Sequence, residues 1–370
     1  MVYPSVACNL DRHLLATVLP LLEEGEVAGM EWSYDAIYRY ESLPDWFGQL
    51  LTAFAREGRL VGHGIFYSVC AASWTEDQKN YLDQLSSVAR TYPFDHVTEH
   101  FGFLTGKDFH RGAPLSPPLT AATLRIGRDR IRRLRDAANC PVGLENLAFA
   151  YRVEDVYRQY AFLDQLVEPV DGLLILDLHN LYCQLHNFSL DLEDLLRHIP
   201  LERVREMHVS GGSWESHSSA PTGRVRRDTH DERVPNEVFH LLREIGPRCP
   251  RLKFVVLEQL GTALHDLTAQ DGFRSDFQRV AAICETIHST VPADDRDKPL
   301  SADPIPEPPL QDRQLAAEQR ELSDILETSS SYSEAHDRLA RSLLANSEWH
   351  VESWAPHMVE TAWKISRKWR

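Results

Sequence analysis

The sequence predicts an α/β protein, a (β/α)8 barrel with a C-terminal extension, and three observations carry that prediction. Short apolar runs alternate eight times with longer helical stretches between residues 3 and 288, the signature of repeated βα units. Seven of the eight runs close on His, Asp or Glu, and functional residues of such barrels come from the carboxyl ends of the strands. The length, 370 residues, accommodates one barrel of about 250 residues and more besides.

Taken in order, the first strand is expected near 3–8, followed by a helix at 11–23. The second, at 27–32, ends in GMEWS and places Glu31 at its tip, with a helix within 44–57. The third, at 59–64, ends LVGHG, so His63 lies between two glycines that would let backbone and metal approach closely; a helix follows at 75–90. Strand four, at 95–101, closes on His100 in VTEHFG. A loop with Pro114, Pro117 and Pro118 then leads to a helix at 119–138. Strand five, at 141–146, carries Glu145 and Asn146 in GLENL before a helix at 152–166. The sixth, at 172–178, is the most apolar run and ends on Asp177, with a helix at 190–197. Strand seven, at 204–209, ends on His208. A long polar loop, 210–233, carries Asp228 and His230 and three arginines, Arg224, Arg226 and Arg227, that suit an anionic or peptide substrate. A helix at 235–245, strand eight at 252–258 with Glu258 after FVVL, and a helix at 272–288 close the series. The barrel domain is therefore assigned to residues 1–290. Pro-rich, acidic residues 291–313 read as a linker, and 314–370 as a helical extension with Trp349, Trp354, Trp363 and Trp369. Burial against the barrel or a subunit is the expected use of those tryptophans.

Composition narrows the function. A net charge of −16 repels nucleic-acid backbones, so DNA or RNA partners are not expected. No stretch approaches the 18 or so consecutive apolar residues of a membrane span. The opening MVYPSVACNLDRH lacks a basic region followed by an apolar run, so no signal peptide is expected. The six cysteines form no CxxC pair, which excludes a zinc ribbon or thioredoxin motif and suits free thiols in a reducing cytoplasm.

Imidazole and carboxylate are ligands for Fe, Zn or Mn. A carboxylate at the end of a buried strand is costly unless paired or metal-bound, which applies to Glu145, Asp177 and Glu258. Such carboxylates can bridge ions. Asp228 and His230, at i and i+2, lie on one side of an extended chain. Asn180 follows Asp177 by three residues and offers a weak amide-oxygen ligand. Glu31, Asn146 and His179 are expected to support the ligands or touch substrate. His186 is expected to be structural, and Asp95, Glu99 and Asp231 ordinary charged residues, although Asn146, Glu99 and Asp231 are close enough in sequence to support a metal-bound imidazole.

The ordered set His63, His100, Glu145-Asn146, Asp177-x-x-Asn180, His208, Asp228-x-His230 and Glu258 resembles the multinuclear non-heme iron-dependent oxidative enzymes, the family of the methanobactin-biosynthesis oxidase. The likeness spans roughly residues 3–290. It implies a TIM barrel whose ligands are His63, His100, Glu145, Asp177, Asn180, His208, Asp228, His230 and Glu258. Two or three iron ions of mixed Fe(II)/Fe(III) state are implied, with O2 as co-substrate. The implied reaction is oxidative modification of a ribosomally synthesised precursor peptide, often at cysteine. A leader-peptide-recognising partner protein is implied as well. Where the family often has Asp-x-Asn-Asn, this chain has Asp177-Leu178-His179-Asn180. The helical tail is a second departure and would take over part of leader or partner recruitment. The nearest alternatives are a trinuclear zinc hydrolase of the endonuclease type, whose Asp-x-x-His turn would place His at Asn180, and a sugar isomerase with fewer His. A non-catalytic scaffold would keep partner binding without its ligands and lose it with residues 314–370.

Overall fold

The computed structural model describes residues 1–39, 42–106, 108–217, 219–220, 222–288 and 305–368. Residues 291–304 of the expected linker, and Trp369, lie outside them. The strands are β1 (Tyr3–Cys8), β2 (Gly29–Trp32), β3 (Leu60–Gly64), β4 (Val97–His100), β5 (Phe103–Leu104), β6 (Pro114–Leu115), β7 (Val142–Glu145), β8 (Leu173–Asp177), β9 (Val204–Val209), β10 (Trp214–Ser216), β11 (Arg224–Arg226) and β12 (Phe254–Leu257). Eight of them close a parallel barrel in the order β1-β12-β9-β8-β7-β4-β3-β2. The chain is thus a TIM barrel. Two small antiparallel hairpins, β5–β6 and β10–β11, stand outside it in the loops after β4 and β9.

The outer layer is α1 (Arg12–Glu23), α2 (Asp45–Arg56), α3 (Glu76–Thr91), α4 (Ala121–Ala138), α5 (Val153–Val167), α6 (Leu178–Asn187), α7 (Leu192–Leu196), α8 (Asn236–Ile245) and α9 (Leu267–Cys284). Their apolar stripes, with Leu51, Leu85, Ile131, Leu163, Leu181 and Phe277, bury against the outward faces of the strands. Among the described residues no helix is long and apolar enough to cross a membrane.

Helix α6 was not expected. It begins at the residue after β8 because the Asp177 carboxylate caps it, accepting a hydrogen bond from the Asn180 amide. Helix α9 starts at Leu267 rather than 272, since Asp266 caps it through the Ala269 amide at 2.8 Å. The glycines beside His63 make room for aromatic rings rather than for a metal. A Cβ on Gly62 would meet Phe94 and Tyr34 at 3.1 Å, and one on Gly64 would strike Glu99 and the Tyr81 hydroxyl.

Barrel interiors of this kind are commonly filled by branched apolar layers. Here Val61, Phe254 and Val256 make only a small apolar cluster, and polar groups occupy much of the rest. Asp95 is buried, contrary to its reading as an ordinary charged residue. It pairs with Lys253, with Arg205 at 2.8 Å and with His96 Nδ1 at 2.9 Å. The other His96 nitrogen meets Glu206 at 2.6 Å. Buried charges persist only when paired in this way. Glu99 is likewise buried, receiving Tyr81 and Tyr34 hydroxyls; burial, with Asp35 nearby, lifts its carboxyl to about 8.

Past the barrel, α10 (Arg313–Thr328), α11 (Tyr332–Leu339) and α12 (Pro356–Lys368) pack against loops at the carboxyl ends of the strands. The Gln319 side chain bonds Cys70 O and Ala72 N at 2.8 and 2.9 Å. Trp354 stacks on Tyr151 with ring centroids 3.7 Å apart. Trp349 is buried and donates to Glu318 at 2.9 Å.

Asp95→Ala is expected to lower unfolding free energy by about 3–5 kcal/mol, because it strands buried cations beneath the barrel mouth. Urea unfolding followed by circular dichroism measures it.

Candidate metal centre

Strand register brings the chemistry together before any side-chain detail is considered. In parallel pairing His100 lies beside Glu145 and Asp177 beside His208. Alternate residues of a strand share a face, so all four side chains project into the same mouth. His63 and Glu258 join from β3 and the end of β12, and His230 from the loop after β11.

Among the described residues, four groups of ligand atoms, each within 4.8 Å of one another, result. They are His63–His100–Glu145, Glu145–Asp177–His208, Asp177–His230–Glu258 and Glu31–Glu206–His208. The first three overlap: Glu145 belongs to two of them, and Asp177 to two. His63 Nε2 and His100 Nε2 each lie 3.2 Å from Glu145 Oε2. His208 Nδ1 is 3.5 Å from Glu145 Oε1 and 3.2 Å from Glu258 Oε2. Ligand atoms about 2.1 Å from one ion at right angles are roughly 3 Å apart, so these spacings suit a shared cation.

The polar atoms left over point the same way. Glu145 Oε2, Asp177 Oδ2, Asn180 Oδ1 and His208 Nδ1 are buried and have no hydrogen-bond partner. Buried polar atoms are ordinarily satisfied, so a cluster of orphans at one mouth needs a missing partner. Nitrogen and carboxylate oxygen donors fit a divalent or trivalent transition metal.

The remaining atoms of these side chains are tied down. His208 Nε2 meets Glu31 Oε2 at 3.0 Å, leaving Nδ1 free to ligate. His63 Nδ1 is 2.9 Å from Thr98 Oγ1, and His100 Nδ1 is 3.2 Å from Gly64 O. Asn146 bridges the Asp177 backbone, its carbonyl accepting from Asp177 N at 2.8 Å. Asn180 donates to Asn146 O at 2.8 Å and so aims its oxygen at the mouth. His179 Nδ1 holds Asp228 Oδ1 at 2.9 Å. Asp228 in turn contacts His230 Nε2 at 3.0 Å, and His230 takes a left-handed backbone at φ 53°. Asp228 thus stands beside the four groups, and Asn180 lies against Glu145, its Nδ2 3.4 Å from Glu145 Oε1. His186 stacks edge-on against Trp214 with centroids 4.5 Å apart.

Electrostatics expose a surplus of negative charge. Burial and the nearby Asp228 and Glu145 carboxylates push Asp177 well above the usual carboxyl range. Burial pulls His63 down, but Glu31 and Glu145 outweigh it and carry it up to about 9. Burial opposes His230 also, yet Asp228 raises it to about 10. Glu145 is held well below its normal value against burial by His100, His208 and His63. In the metal-free protein, protons on imidazole stand in for a missing cation.

Glu206 and His96 escaped the sequence reading. Both lie inward on the two-residue period that marks His208 and His100, at 208 minus two and 100 minus four. That alternation was the available signal, but Glu206 lies inside β9 and His96 just before β4, away from the strand tips, and this hid them.

Residues 38–263 match the family model described as RiPP precursor modification enzyme MbnB/TglH/ChrH. The chain belongs to this family of peptide-modifying enzymes. The matched stretch holds every expected ligand but neither Glu31 nor the C-terminal helices. Two relatives are UPF0276 proteins. The one from Shewanella loihica is 24 % identical over 196 residues, 53 % of this chain and 67 % of its own length. The one from Acaryochloris marina is 28 % identical over 192 residues, 50 % of this chain and 66 % of its own length. The chain therefore spans about two thirds of these relatives. An L-ribulose 3-epimerase structure superposes with a TM-score of 0.49 at 14 % identity, covering 77 % of this chain and 95 % of the epimerase.

The imidazole shifts set a pH dependence for the metal-free protein. Groups raised above their unfolded value of 6.5 stabilise the fold fully below that pH and lose the contribution as pH rises through the folded values. Its urea midpoint is expected to fall between pH 6.5 and about 10, and metal loading should flatten that fall by displacing the protons.

Proposed function

We propose that the protein is a multinuclear non-heme iron oxidase or oxygenase that modifies a ribosomally synthesised precursor peptide, at cysteine, with O2 as co-substrate. The observation that carries it is the run of three overlapping ligand groups sharing Glu145 and Asp177. Family membership supports the precursor peptide as substrate. A leader-recognising partner protein completes the reading.

His63, His100 and Glu145 would hold one ion. Glu145, Asp177 and His208 would hold a second, and Asp177, His230 and Glu258 a third. Asn180 and Asp228 stand at the edge of the last two groups as further donors. Bound iron would supply redox chemistry with O2 and Lewis acidity toward a peptide thiolate. The protein's own part is positioning. Glu31 holds the His208 tautomer, Thr98 and the Gly64 carbonyl fix the rings of His63 and His100, and Asn146 ties β7 to β8 across the shared carboxylates. Because Glu145 and Asp177 are almost wholly buried, bulk water is kept from the shared carboxylates.

Elemental analysis with Mössbauer spectra on anaerobically purified protein tests the reading. Two or three irons per chain, part of them ferrous, are expected; stoichiometric zinc with little iron would replace it with a hydrolase. Glu145→Gln is expected to lower iron content by more than one ion per chain, since two groups share that carboxylate, and to abolish peptide modification. Glu31→Gln keeps every ligand and should weaken iron binding by about 10–100-fold.

A further inference from the structure

The loop that carries Asp228 and His230 depends on contacts with elements outside it. Among the described residues, its regular structure is β10 paired with β11, three residues on each strand. A two-stranded hairpin of that size is marginal by itself. It must nevertheless present His230 in a left-handed backbone that a non-glycine residue rarely adopts. Something outside the hairpin has to stabilise it.

The last helix makes the contact. Lys364 Nζ lies 2.9 Å from Glu215 Oε1 on β10 and 2.9 Å from Glu360 Oε1 on its own helix. It also approaches His217 Nε2 at 3.3 Å. Glu360 Oε2 reaches His217 Nδ1 at 3.2 Å, and His217 is buried. Glu215 then pairs with Arg227, the residue before Asp228. The Arg227 amide donates to Ser213 O at 3.0 Å, and the Ser213 amide donates to Thr229 Oγ1 at 2.8 Å, between Asp228 and His230. A second line runs through α6. His357 Nε2 bonds Asn187 O at 3.3 Å. The Asn187 amide brackets the Arg226 backbone at 2.9 and 2.8 Å, and Arg226 Nε meets His179 Nε2 at 3.1 Å.

We propose that α12 is a positioning brace for the third ligand group. Lys364 and Glu360 grip Glu215 and His217, and through Arg227 and Thr229 they set Asp228 and His230 against Asp177 and Glu258. Helix α12 lies outside the stretch matched to the family, whereas Glu215, His217 and Arg227 lie within it. Its effect on metal content rests on the iron reading above; its effect on the hairpin does not.

The test uses the full chain and three variants: Lys364→Met with Glu360→Gln, Glu215→Gln from the other side of the same pair, and Lys364→Arg as the conservative control. Amide hydrogen exchange of residues 211–230 is read on metal-free protein, with β3 and β7 as internal references. Hairpin exchange about tenfold faster in the first two variants, near wild type in Lys364→Arg and unchanged in the references, is expected. After anaerobic iron loading, the first two should also hold about one ion fewer per chain than wild type, recovered in Lys364→Arg. Unchanged hairpin exchange would overturn the brace. Faster exchange with full iron content would overturn its role in setting the ligands. Wild type that takes up no iron would sink the iron reading, and exchange alone would then decide the brace.

Discussion

Mutual repulsion among buried carboxylates organises the mouth of this barrel. Glu31, Glu145, Asp177 and Glu206 are all buried within a few strands of one another, with Asp228 and Glu258 close by. A low-dielectric interior magnifies that repulsion, and so few arrangements are tolerable. The protein answers with imidazoles at the strand tips and with cations at the floor, where Lys253 and Arg205 surround Asp95. Asp177 gains too little of either and is driven toward its protonated form. A cluster that recruits protons to offset its negative charge suits exchange of those protons for metal ions, because ligands shed protons as metal binds.

That constraint reaches into the scaffold. A column of polar contacts runs from Lys253 and Arg205 through Asp95, His96 and Glu206 toward His208 and Glu31. It replaces much of the apolar filling expected of a barrel interior. Outside, the large apolar cluster between strands and helices carries the burden of stability, leaving the interior for electrostatics. Helix α6 begins where the site needs it: the Asp177 carboxylate caps the helix with one oxygen and leaves the other without a partner, facing the mouth.

Division of labour between barrel and loops follows. Strand tips supply rigid candidate ligands whose spacing is set by hydrogen-bonded register, while His230 arrives on a long loop that register does not reach. Such a loop is tolerable only if its contacts outweigh its freedom. Those contacts come from α6 and α12, elements adjacent to the hairpin in space though α12 is far along the chain.

The sequence alone determined the barrel, because short apolar runs alternating eight times with helical stretches leave few other packings. It also marked the strand-tip His and carboxylate residues as candidate ligands, since a carboxylate closing a run such as GLLILD cannot sit there without a partner. It named Glu31 and His179 as supports of the ligands without naming their partners. Tertiary structure decided the rest. Burial revealed Asp95 and Glu99 as structural groups, because sequence spacing cannot say which charged residue meets a buried cation or a tyrosine pair. Register decided that Glu145 and Asp177 are shared, since sharing depends on which strands are neighbours. Only the three-dimensional fold could bring Lys364 to Glu215 across roughly 150 residues of chain, because the affinity of those two charges leaves no periodic trace in the sequence.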